Sequence, residues 1–340
     1  MRKMASVRRI DDIHSIPNAD TIECAIVGGW KVVVKRGEFQ VGDLAVYCEI
    51  DSWIPHDVAP FLSKDKEPRE FNGIRGERLR TVKLRGQISQ GLLLQLNDLL
   101  KMKYDGSAVV EEGDDVSEMF GIQKYEPPIP AQLAGVARGM FPGFIPKTDQ
   151  ERCQNLVQEI AEWMTADLTW EMTEKLDGSS MTVYHRDGEV GVCSRNLELK
   201  EDDSNSFWVT ARTHNLPNRL RALGRNIALQ GELIGEGIQG NPYRIRGQGF
   251  YLFDIYDIDQ SRYLTPAERM VLAEELSVVS VPLIATDTTL DSVDALLARA
   301  EGKSQLNVLA EREGVVFKCN ERPELHFKAI SNRFLLKNGG

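Results

Sequence analysis

The sequence predicts an α+β protein with two domains, a small β-barrel followed by a layer of antiparallel strands with helices outside it. Its 340 residues suit two domains at ~100–200 residues each. Short β-rich segments fill the first third of the chain, whereas helix and strand signals mix after residue 147. Five prolines mark the connection, so we predict a first domain over 1–125, a linker over 126–146 and a second domain over 147–340.

The first domain is predicted from β-rich segments broken by glycine and aspartate turns. Gly28-Gly29 separates two of them and is a strong signal for a tight hairpin. Many short strands in ~100 residues are typical of a small barrel, and an OB-like barrel fits this length. Strand patterns alone do not separate an OB-like barrel from other small barrels. The segments are 24–27, 30–35, 44–50 and 92–96.

The second domain shows two helix starts with strands between them. Thr148 and Glu151 form a capping-box pattern, and the apolar stripe behind them predicts an amphipathic helix with Arg152 on its polar face. A Thr-Pro pair at 265–266 marks the second start. Residues 168–197 have the pattern of antiparallel strands, which makes this domain an α+β layer.

Composition narrows the classes of function. A formal net charge of −10 disfavours general nucleic-acid binding but leaves local basic patches open. The chain has no run of ~18 apolar residues, so we predict no membrane-spanning segment and no membrane partner. Its basic start lacks an apolar stretch behind it, which disfavours a secretory signal. The cysteines form no CxxC pair, so we expect reduced thiols and a cytoplasmic or otherwise intracellular location.

One segment carries the chemistry. Lys175 follows an alternating strand over 170–174, and the turn-forming pair Asp177-Gly178 comes almost directly after it. Taken alone, this pattern also describes a hairpin with an exposed lysine. Further motifs follow in a fixed order. They are Ser194-Arg195-Asn196, Gly231-Glu232-Leu233-Ile234-Gly235, Phe250-Tyr251-Leu252-Phe253-Asp254-Ile255-Tyr256, Glu313-Gly314-Val315-Val316-Phe317-Lys318 and His326-Phe327-Lys328-Ala329.

In order and spacing, these motifs resemble the covalent nucleotidyltransferase superfamily of ATP-dependent DNA and RNA ligases and mRNA capping enzymes. The resemblance covers almost all of 170–330. Segments 28–30, 83–91 and 147–155 resemble one branch of RNA ligases more closely. That branch has an N-terminal OB domain followed by an antiparallel-sheet nucleotidyltransferase domain, which is an ATP-grasp-like ligase adenylation fold. Too few residues follow Lys328 for the C-terminal barrel that DNA ligases and capping enzymes usually carry.

The resemblance implies an ATP-dependent RNA ligase that seals nicks between a 3′-OH and a 5′-phosphate in duplexes, with RNA at the 3′-OH side. Lys175 matches the family's nucleophile, which forms a lysyl-AMP before AMP moves to the 5′-phosphate. A free lysine is protonated at pH 7, so its pKa has to be lowered. We expect Lys318 and Lys328 to supply the nearby cations and to bind the α-phosphate. The alternative for Lys318 is a solvent-exposed strand end.

The resemblance also implies a divalent metal and a nucleotide site. Asp177, Glu232 and Glu313 are expected to hold Mg²⁺ or Mn²⁺ through water molecules, and their alternative is a set of surface acids at strand ends. Arg152 is expected to contact the nucleotide phosphates, although it also suits an ordinary solvent-facing helix residue. Phe253 is expected to stack on adenine, with a core aromatic as its alternative. The nucleotide-binding set is Glu174, Asp177, Gly178, Arg195, Glu232, Phe253 and Glu313.

The first domain contains a basic stretch inside an acidic protein. Cations along a strand of an OB-like barrel can follow a phosphate backbone, so we predict nucleic-acid binding there. Lys83 and Arg85 share a face if this stretch is a strand, with Leu84 opposite. The alternative is a solvated edge strand. The basic residues are Arg75, Arg78, Arg80, Lys83 and Arg85.

Two other functions stay open. One is a different lysyl-nucleotide transferase, either a DNA ligase or a GTP-dependent capping enzyme. The other is a nucleic-acid-binding protein with an inactive transferase domain. The RNA ligase hypothesis implies ATP with Mg²⁺ or Mn²⁺ as cofactors, a nicked duplex of RNA or RNA/DNA as partner, and a monomer.

Overall fold

The computed structural model describes residues 3–64, 66–105, 108–126 and 135–338. Backbone contacts divide the chain into two compact units, one of Met1–Pro128 with Asn332–Gly340 and one of Ile129–Ser331. The first unit is an OB-like domain and the second is an antiparallel-sheet domain with helices, which confirms the predicted α+β fold class. The domain boundaries remain predictions, and the contacts place Asn332–Gly340 with the first unit rather than the second.

The first unit consists of short strands, a 3₁₀ turn and one α-helix, and the final helix of the chain is grouped with it. Strands 1 and 11 both pair antiparallel with strand 5, and strands 2, 3 and 4 form a meander. The described elements are β1 (Ala5–Arg9), β2 (Asp12–Ser15), β3 (Ile22–Val27), β4 (Trp30–Lys35), β5 (Leu44–Cys48), β6 (Ser52–Pro55), a 3₁₀ turn (Pro60–Ser63), β7 (Arg69–Phe71), β8 (Ile74–Arg78), β9 (Val82–Leu84), β10 (Gln87–Ser89), β11 (Leu92–Gln95), α1 (Leu96–Tyr104) and β12 (Gln123–Lys124).

Alternation explains why these residues form a barrel wall. In β4, Trp30, Val32 and Val34 are buried, whereas the lysines between and after them face outward or are partly covered. Trp30 is 2% exposed within the apolar core. Gly28 turns the chain from β3 into β4 with a φ of 56°, a conformation that glycine adopts without strain. The segments predicted as strands in this domain are therefore confirmed.

The second unit consists of two sheets with helices against them. The larger sheet has the order β13-β18-β17-β16-β19-β20-β21 and the smaller has β14-β24-β23-β15-β22. The strands are β13 (Ala137–Met140), β14 (Glu151–Arg152), β15 (Trp170–Lys175), β16 (Ser179–Arg186), β17 (Glu189–Cys193), β18 (Leu197–Leu199), β19 (Ile227–Gly235), β20 (Gln248–Asp257), β21 (Arg262–Tyr263), β22 (Leu283–Thr288), β23 (Gly314–Cys319) and β24 (His326–Ile330). The helices are α2 (Val157–Thr165), α3 (Ser206–Thr213), α4 (Leu216–Leu223), α5 (Pro266–Glu275) and α6 (Val293–Ala300), and α7 (Asn332–Asn338) ends the described chain.

The predicted helix start at Thr148 is wrong. The Thr148 hydroxyl lies 2.7 Å from the hydroxyl of Ser180 instead of capping a helix, and Glu151 belongs to β14. α2 begins only at Val157, without a side-chain cap. A local capping pattern was overridden here because β14 pairs with β24 across a large sequence separation. The second predicted start is confirmed, since Thr265 forms a complete capping box at the start of α5.

The predicted linker over 126–146 contains an element of the second unit. Residues 127–134 lie outside the described residues. Ala137–Met140, however, form β13, which pairs antiparallel with β18 at the edge of the larger sheet. The sequence did not indicate this strand, because a strand at a sheet edge needs no continuous apolar pattern of its own.

None of the helices in the described ranges has the length and apolar character that crossing a bilayer requires. All five cysteines are free and buried.

Candidate active site

Lys175 ends β15, and the turn that follows it is packed tightly against β19. A side chain at Gly178 would place its Cβ 2.5 Å from the carbonyl oxygen of Leu233, so only glycine fits this close approach. Leu176 is buried at 2% exposure and anchors the turn from inside. The backbone N–H of Asp177 donates a hydrogen bond to the hydroxyl of Tyr243 at 2.5 Å. The Lys-x-Asp-Gly segment is therefore held in one conformation by contacts from β19 and from the chain that follows it.

Three predicted carboxylates gather around Lys175. Its Nζ lies 2.7 Å from Oε2 of Glu313, which stands directly before β23. Burial acts to lower the pKa of Lys175, but Glu313 and Glu232 outweigh it and the pKa is raised. The expectation that neighbouring cations lower this pKa is therefore wrong, because carboxylates and not lysines surround the amine.

The carboxylates crowd one another. Burial, with the nearby charge of Glu313 as a further cause, raises the pKa of Asp177 to about 6. Burial also raises the pKa of Glu232 to about 8, against the opposing effect of Lys175. A single lysine does not balance three carboxylates, so the site favours protons or additional positive charge.

Direct metal coordination by this set is not supported. The described residues contain no group of three or more His, Cys, Asp or Glu side chains arranged to hold a metal ion. The excess negative charge around Lys175 nevertheless fits a divalent cation that keeps its water molecules, because such an ion is stabilised by carboxylates beyond direct contact. The predicted role of Asp177, Glu232 and Glu313 through water stays a prediction.

Arg152 and Lys328 are neighbours in the smaller sheet. Parallel pairing of β14 with β24 places Arg152 opposite Lys328, and Lys328 is in turn opposite Val316 of β23. Side chains at paired positions point to the same face of a sheet. Lys175 is opposite Gly314, two positions from Val316 along β23, so Arg152, Lys328 and Lys175 share one face. Arg152 is 6% exposed and belongs to β14, so its predicted place on the polar face of a helix is wrong, and so is the alternative of a solvent-facing helix residue. Its predicted contact with the nucleotide phosphates stays a prediction.

Lys318 lies deeper than predicted. It is opposite Glu171 in β15, whereas Lys175 is opposite Gly314, so the two lysines share a face but stand four residues apart along the strand. The ammonium of Lys318 forms an ion pair with Asp254 of the larger sheet and lies 5.0 Å from the ring centre of Tyr263. The alternative of a solvent-exposed strand end is therefore wrong, and the pairing of β15 with β23 brings the two strands together but leaves Lys318 four positions from Lys175 along them.

A second buried ion pair, which sequence reasoning missed, stands beside it. Arg269 of α5 donates from one nitrogen to both carboxylate oxygens of Glu171, at 2.8 and 2.6 Å. Both side chains are almost fully buried. Together with Lys318 and Asp254, this pair joins the sheet that carries Lys175 to the elements of the larger sheet. We call these four residues the inter-sheet ion cluster.

Glu174 faces away from the site. Residues alternate along β15, so Glu174 and Lys175 point to opposite faces. One carboxylate oxygen of Glu174 accepts a hydrogen bond from the backbone N–H of Gln305 at 2.8 Å, and burial raises its pKa. Its side chain therefore anchors the segment after α6, which does not support the predicted contact with nucleotide.

The remaining predicted nucleotide contacts lie on the larger sheet. The guanidinium of Arg195 forms a 2.5 Å ion pair with Asp149, in the segment that also holds Thr148. Phe253 and Tyr251 are partly buried against Leu176, the residue after Lys175, in one apolar cluster. Both aromatic rings therefore remain candidates for the adenine platform.

The basic stretch of the first unit contains two arginines in ion pairs and three exposed basic residues. Arg75 pairs with Glu67 at 2.5 Å, and the partly buried Arg78 pairs with Asp51 at 2.6 Å. Arg80, Lys83 and Arg85 are exposed. Arg85 has a φ of 48° in the turn between β9 and β10, so it does not continue the strand face of Lys83 as predicted. The reason is that Arg85-Gly86 forms the two-residue hairpin loop.

Comparison with known proteins agrees with this arrangement. A family model described as RNA ligase matches residues 168–337, and one described as an OB-fold domain matches residues 4–96. None of the curated proteins is similar enough to count as a match. Similar solved structures include an apo variant of Naegleria gruberi RNA ligase, at 47% identity and a TM-score of 0.90, with 98% of this chain and 97% of that chain covered. Variants of the same ligase solved with ATP and Mn, and with AMP and Mn, are 47% and 48% identical, with TM-scores of 0.90 and 98% coverage of both chains.

Proposed function

This chain belongs to the RNA ligase family, and from that premise we propose that it seals 3′-OH/5′-phosphate nicks in duplexes with RNA at the 3′-OH side, using ATP. The observation that carries the proposal is the pairing of Lys175 with Glu313 beside Asp177 and Glu232. A lysine held at the end of a strand, among carboxylates, suits covalent transfer of a nucleotide. We further propose that the protein acts inside the cell as a monomer on nicked RNA or RNA/DNA duplexes.

In the proposed first step, Nζ of Lys175 attacks the α-phosphorus of ATP. A P–N bond forms, the bond to the bridging oxygen breaks, and pyrophosphate leaves. Only a neutral amine attacks, so Nζ first has to give a proton to the carboxylate of Glu313, to which it donates a hydrogen bond. A hydrated Mg²⁺ or Mn²⁺ beside Asp177, Glu232 and Glu313 would offset their charge and lower the pKa of the lysine.

The phosphate contacts are proposed on the row next to Lys175. Arg152 and Lys328 form two adjacent positive positions on the face of the smaller sheet that carries the nucleophile. Positive groups fixed in a buried site stabilise the charge that develops on the transferring phosphoryl group. Lys318 is engaged by Asp254, so we propose that it acts by holding the two sheets together instead of touching the α-phosphate.

The nucleotide base and the nucleic acid complete the proposal. Phe253 is proposed as the adenine platform, with Tyr251 as the neighbouring ring, and Arg195 as a phosphate contact once it leaves Asp149. AMP then moves from Lys175 to the 5′-phosphate, and the 3′-OH displaces it. The exposed Arg80, Lys83 and Arg85 are proposed to bind the phosphate backbone, because they are the part of the basic stretch that lies open to solvent.

The test is incubation with α-labelled ATP or GTP and Mg²⁺ or Mn²⁺, followed by a denaturing gel and peptide mapping. We expect label from ATP on Lys175, and then sealing of a nick with RNA at the 3′-OH side. Label from GTP alone would contradict the proposed ligase, as would a lysyl-AMP that never yields a sealed nick. An unlabelled protein, shown beforehand to carry no AMP, would contradict the transferase chemistry altogether.

A further inference from the structure

The chain between β19 and β20, residues 236–247, is an ordered loop. The side chain of Asn241 donates to the carbonyl of Ile245 at 2.9 Å and accepts from its N–H at 3.1 Å. Asn307 donates to the carbonyl of Pro242 at 2.8 Å. The hydroxyl of Tyr243 accepts the N–H of Asp177, as described above. Contacts within the loop, from the segment after α6 and from the nucleophile turn therefore all fix its conformation.

The side chains of this loop alternate between the interior and the solvent. Tyr243 is 5% exposed, and Ile245 packs against the same apolar cluster. Arg244 and Arg246, between and after them, are exposed. Arg244 adopts a φ of 55°, a left-handed conformation that a non-glycine residue keeps only where its surroundings impose it. The loop therefore presents two guanidinium groups outward from a backbone that is held in place.

These two cations lack the partners that most others in this unit have. Ion pairs to carboxylates engage Arg138, Arg195, Arg212, Arg225, Arg262, Arg299 and Arg322. Within the part of the chain that the structure describes, neither Arg244 nor Arg246 has a side-chain hydrogen bond or an ion pair. An acidic protein that leaves two adjacent arginines without carboxylates, on a fixed loop, keeps positive charge available for an external anion.

The loop lies against the nucleophile turn. Tyr243, which directly precedes Arg244, touches the backbone of Asp177, and Gln239 donates to the carbonyl of Gly178 at 3.3 Å. Both arginines therefore lie within a few positions of loop residues that contact the turn after Lys175. An anion bound by them is therefore held by the same loop that contacts the turn after Lys175.

We propose that Arg244 and Arg246 bind consecutive phosphates of the nucleic-acid strand beside the nick, and so place the strand end against the nucleotide on Lys175. The proposal rests on the proposed function and names a contact of that same site. A polyanionic backbone suits two outward arginines spaced by one residue, because each guanidinium can take one phosphate. The phosphates of ATP are the rival occupant, but the row of Arg152 and Lys328 lies on the sheet face of Lys175, whereas these arginines face outward.

The experiment compares the full chain with Arg244→Gln, Arg246→Gln and the double variant. The matched control is Arg221→Gln. Arg221 is exposed and lies on α4, a helix that packs against the apolar core on the face of the larger sheet that points away from the site. Affinity for a nicked duplex with RNA at the 3′-OH side is measured by fluorescence anisotropy without ATP, between ~50 and ~200 mM salt. Lysyl-AMP formation is measured separately, and thermal unfolding checks that each variant is folded.

We expect each single variant to bind the nicked duplex about tenfold more weakly near 0.1 M salt, and to reduce the slope of log affinity against log salt by about one. The double variant should lose both contacts, and Arg221→Gln should bind like the native chain. Unchanged affinity and slope in the double variant would overturn the proposal. A loss confined to lysyl-AMP formation would also overturn it and assign the arginines to ATP. Because binding is measured without ATP, a native chain that forms no lysyl-AMP would defeat the proposed function while this comparison still gave its answer.

Discussion

The Nζ of Lys175 lies 2.7 Å from Oε2 of Glu313, although the two residues are 138 positions apart in the chain. The pairing of β15 with β23 creates this contact, since Lys175 is opposite Gly314, the residue after Glu313. The nucleophile of the proposed reaction is therefore stored as a protonated, paired amine. Its activation requires that the surrounding negative charge be offset when ATP and metal enter.

Replacing Lys175 by arginine tests this relationship. Lys175→Arg keeps a cation beside Glu313 but offers no amine that attacks phosphorus, so lysyl-AMP formation should fall at least ~10³-fold. The unfolding temperature should stay close to that of the native chain, since the ion pair is retained. Lys175→Met is the comparison for the unfolding temperature, because it removes the positive charge that acts to lower the pKa of Glu232. A labelled Lys175→Arg protein would show that a different residue is the nucleophile.

Tyr243 is expected to position the nucleophile turn. Tyr243→Phe removes the hydroxyl that accepts the N–H of Asp177 and leaves that N–H without its partner. A hydrogen bond of this kind contributes ~0.5–1.5 kcal/mol. Because it holds the turn in the conformation seen here, lysyl-AMP formation should slow by up to about tenfold without it. The loss should appear in the maximal rate at saturating ATP and leave KM for ATP near its native value, because the turn and not the ATP contact is altered.

Tyr256→Phe is the matched control for this change. Tyr256 lies on β20, and in the described chain its hydroxyl has no hydrogen bond. It should form lysyl-AMP at the native rate. A Tyr243→Phe protein that also keeps the native maximal rate would contradict the positioning role.

The grouping of Lys175 with the acidic residues and the order of domains could be predicted because the motifs are local in sequence. Lys175 and Asp177 share one short segment, so the family resemblance could assign them to one site without knowledge of the fold. Contacts between distant segments could not be predicted in the same way. Tyr243 reaches Asp177 across 66 positions, and Arg269 reaches Glu171 across 98. No periodicity or spacing signals such pairs.

Tertiary pairing overrode a local pattern in one prediction and decided the position of a lysine in another. The capping-box residues Thr148 and Glu151 were taken up by contacts to β16 and by the β14–β24 pairing. Lys318 was expected beside Lys175 because both belong to motifs of the same site. Strand register, which the sequence does not reveal, places Lys318 opposite Glu171 instead.

The inter-sheet ion cluster should be costly to break at one residue and cheap to replace as a pair. Arg269→Met leaves the carboxylate of Glu171 buried without its cation, which should lower the free energy of unfolding by ~3–5 kcal/mol. The double variant Glu171→Met with Arg269→Met removes both charges and should recover most of this loss. Urea unfolding of the full chain, followed by tryptophan fluorescence, measures both.

An exposed pair provides the control for this comparison. Arg322 and Glu324 lie 3.1 Å apart at the surface, and Arg322→Met should change the free energy of unfolding by less than ~1 kcal/mol. If Arg269→Met is as mild as Arg322→Met, the buried pair does not hold the two sheets together.

His326 should make the stability of the protein depend on pH. Burial and the neighbouring charge of Lys318 lower the pKa of His326 below its ordinary value, with Asp254 and Glu324 acting in the opposite direction. The unfolded chain therefore takes up a proton near pH 6.5 that the folded chain does not, so stability falls as the pH drops below about 6.5. The loss can reach ~1.4 kcal/mol per pH unit until the folded histidine is protonated as well.

His326→Gln removes this titration while keeping a polar side chain opposite Lys318. Thermal unfolding of both proteins between pH 7.5 and 5 should show a larger decrease for the native chain. Asp177 and Glu232 titrate in the same range with raised pKa values and so oppose the decrease, but they are present in both proteins and cancel in the difference. Equal pH profiles would mean that His326 takes up its proton in the folded chain as readily as in the unfolded one, which the cation of Lys318 beside it should prevent.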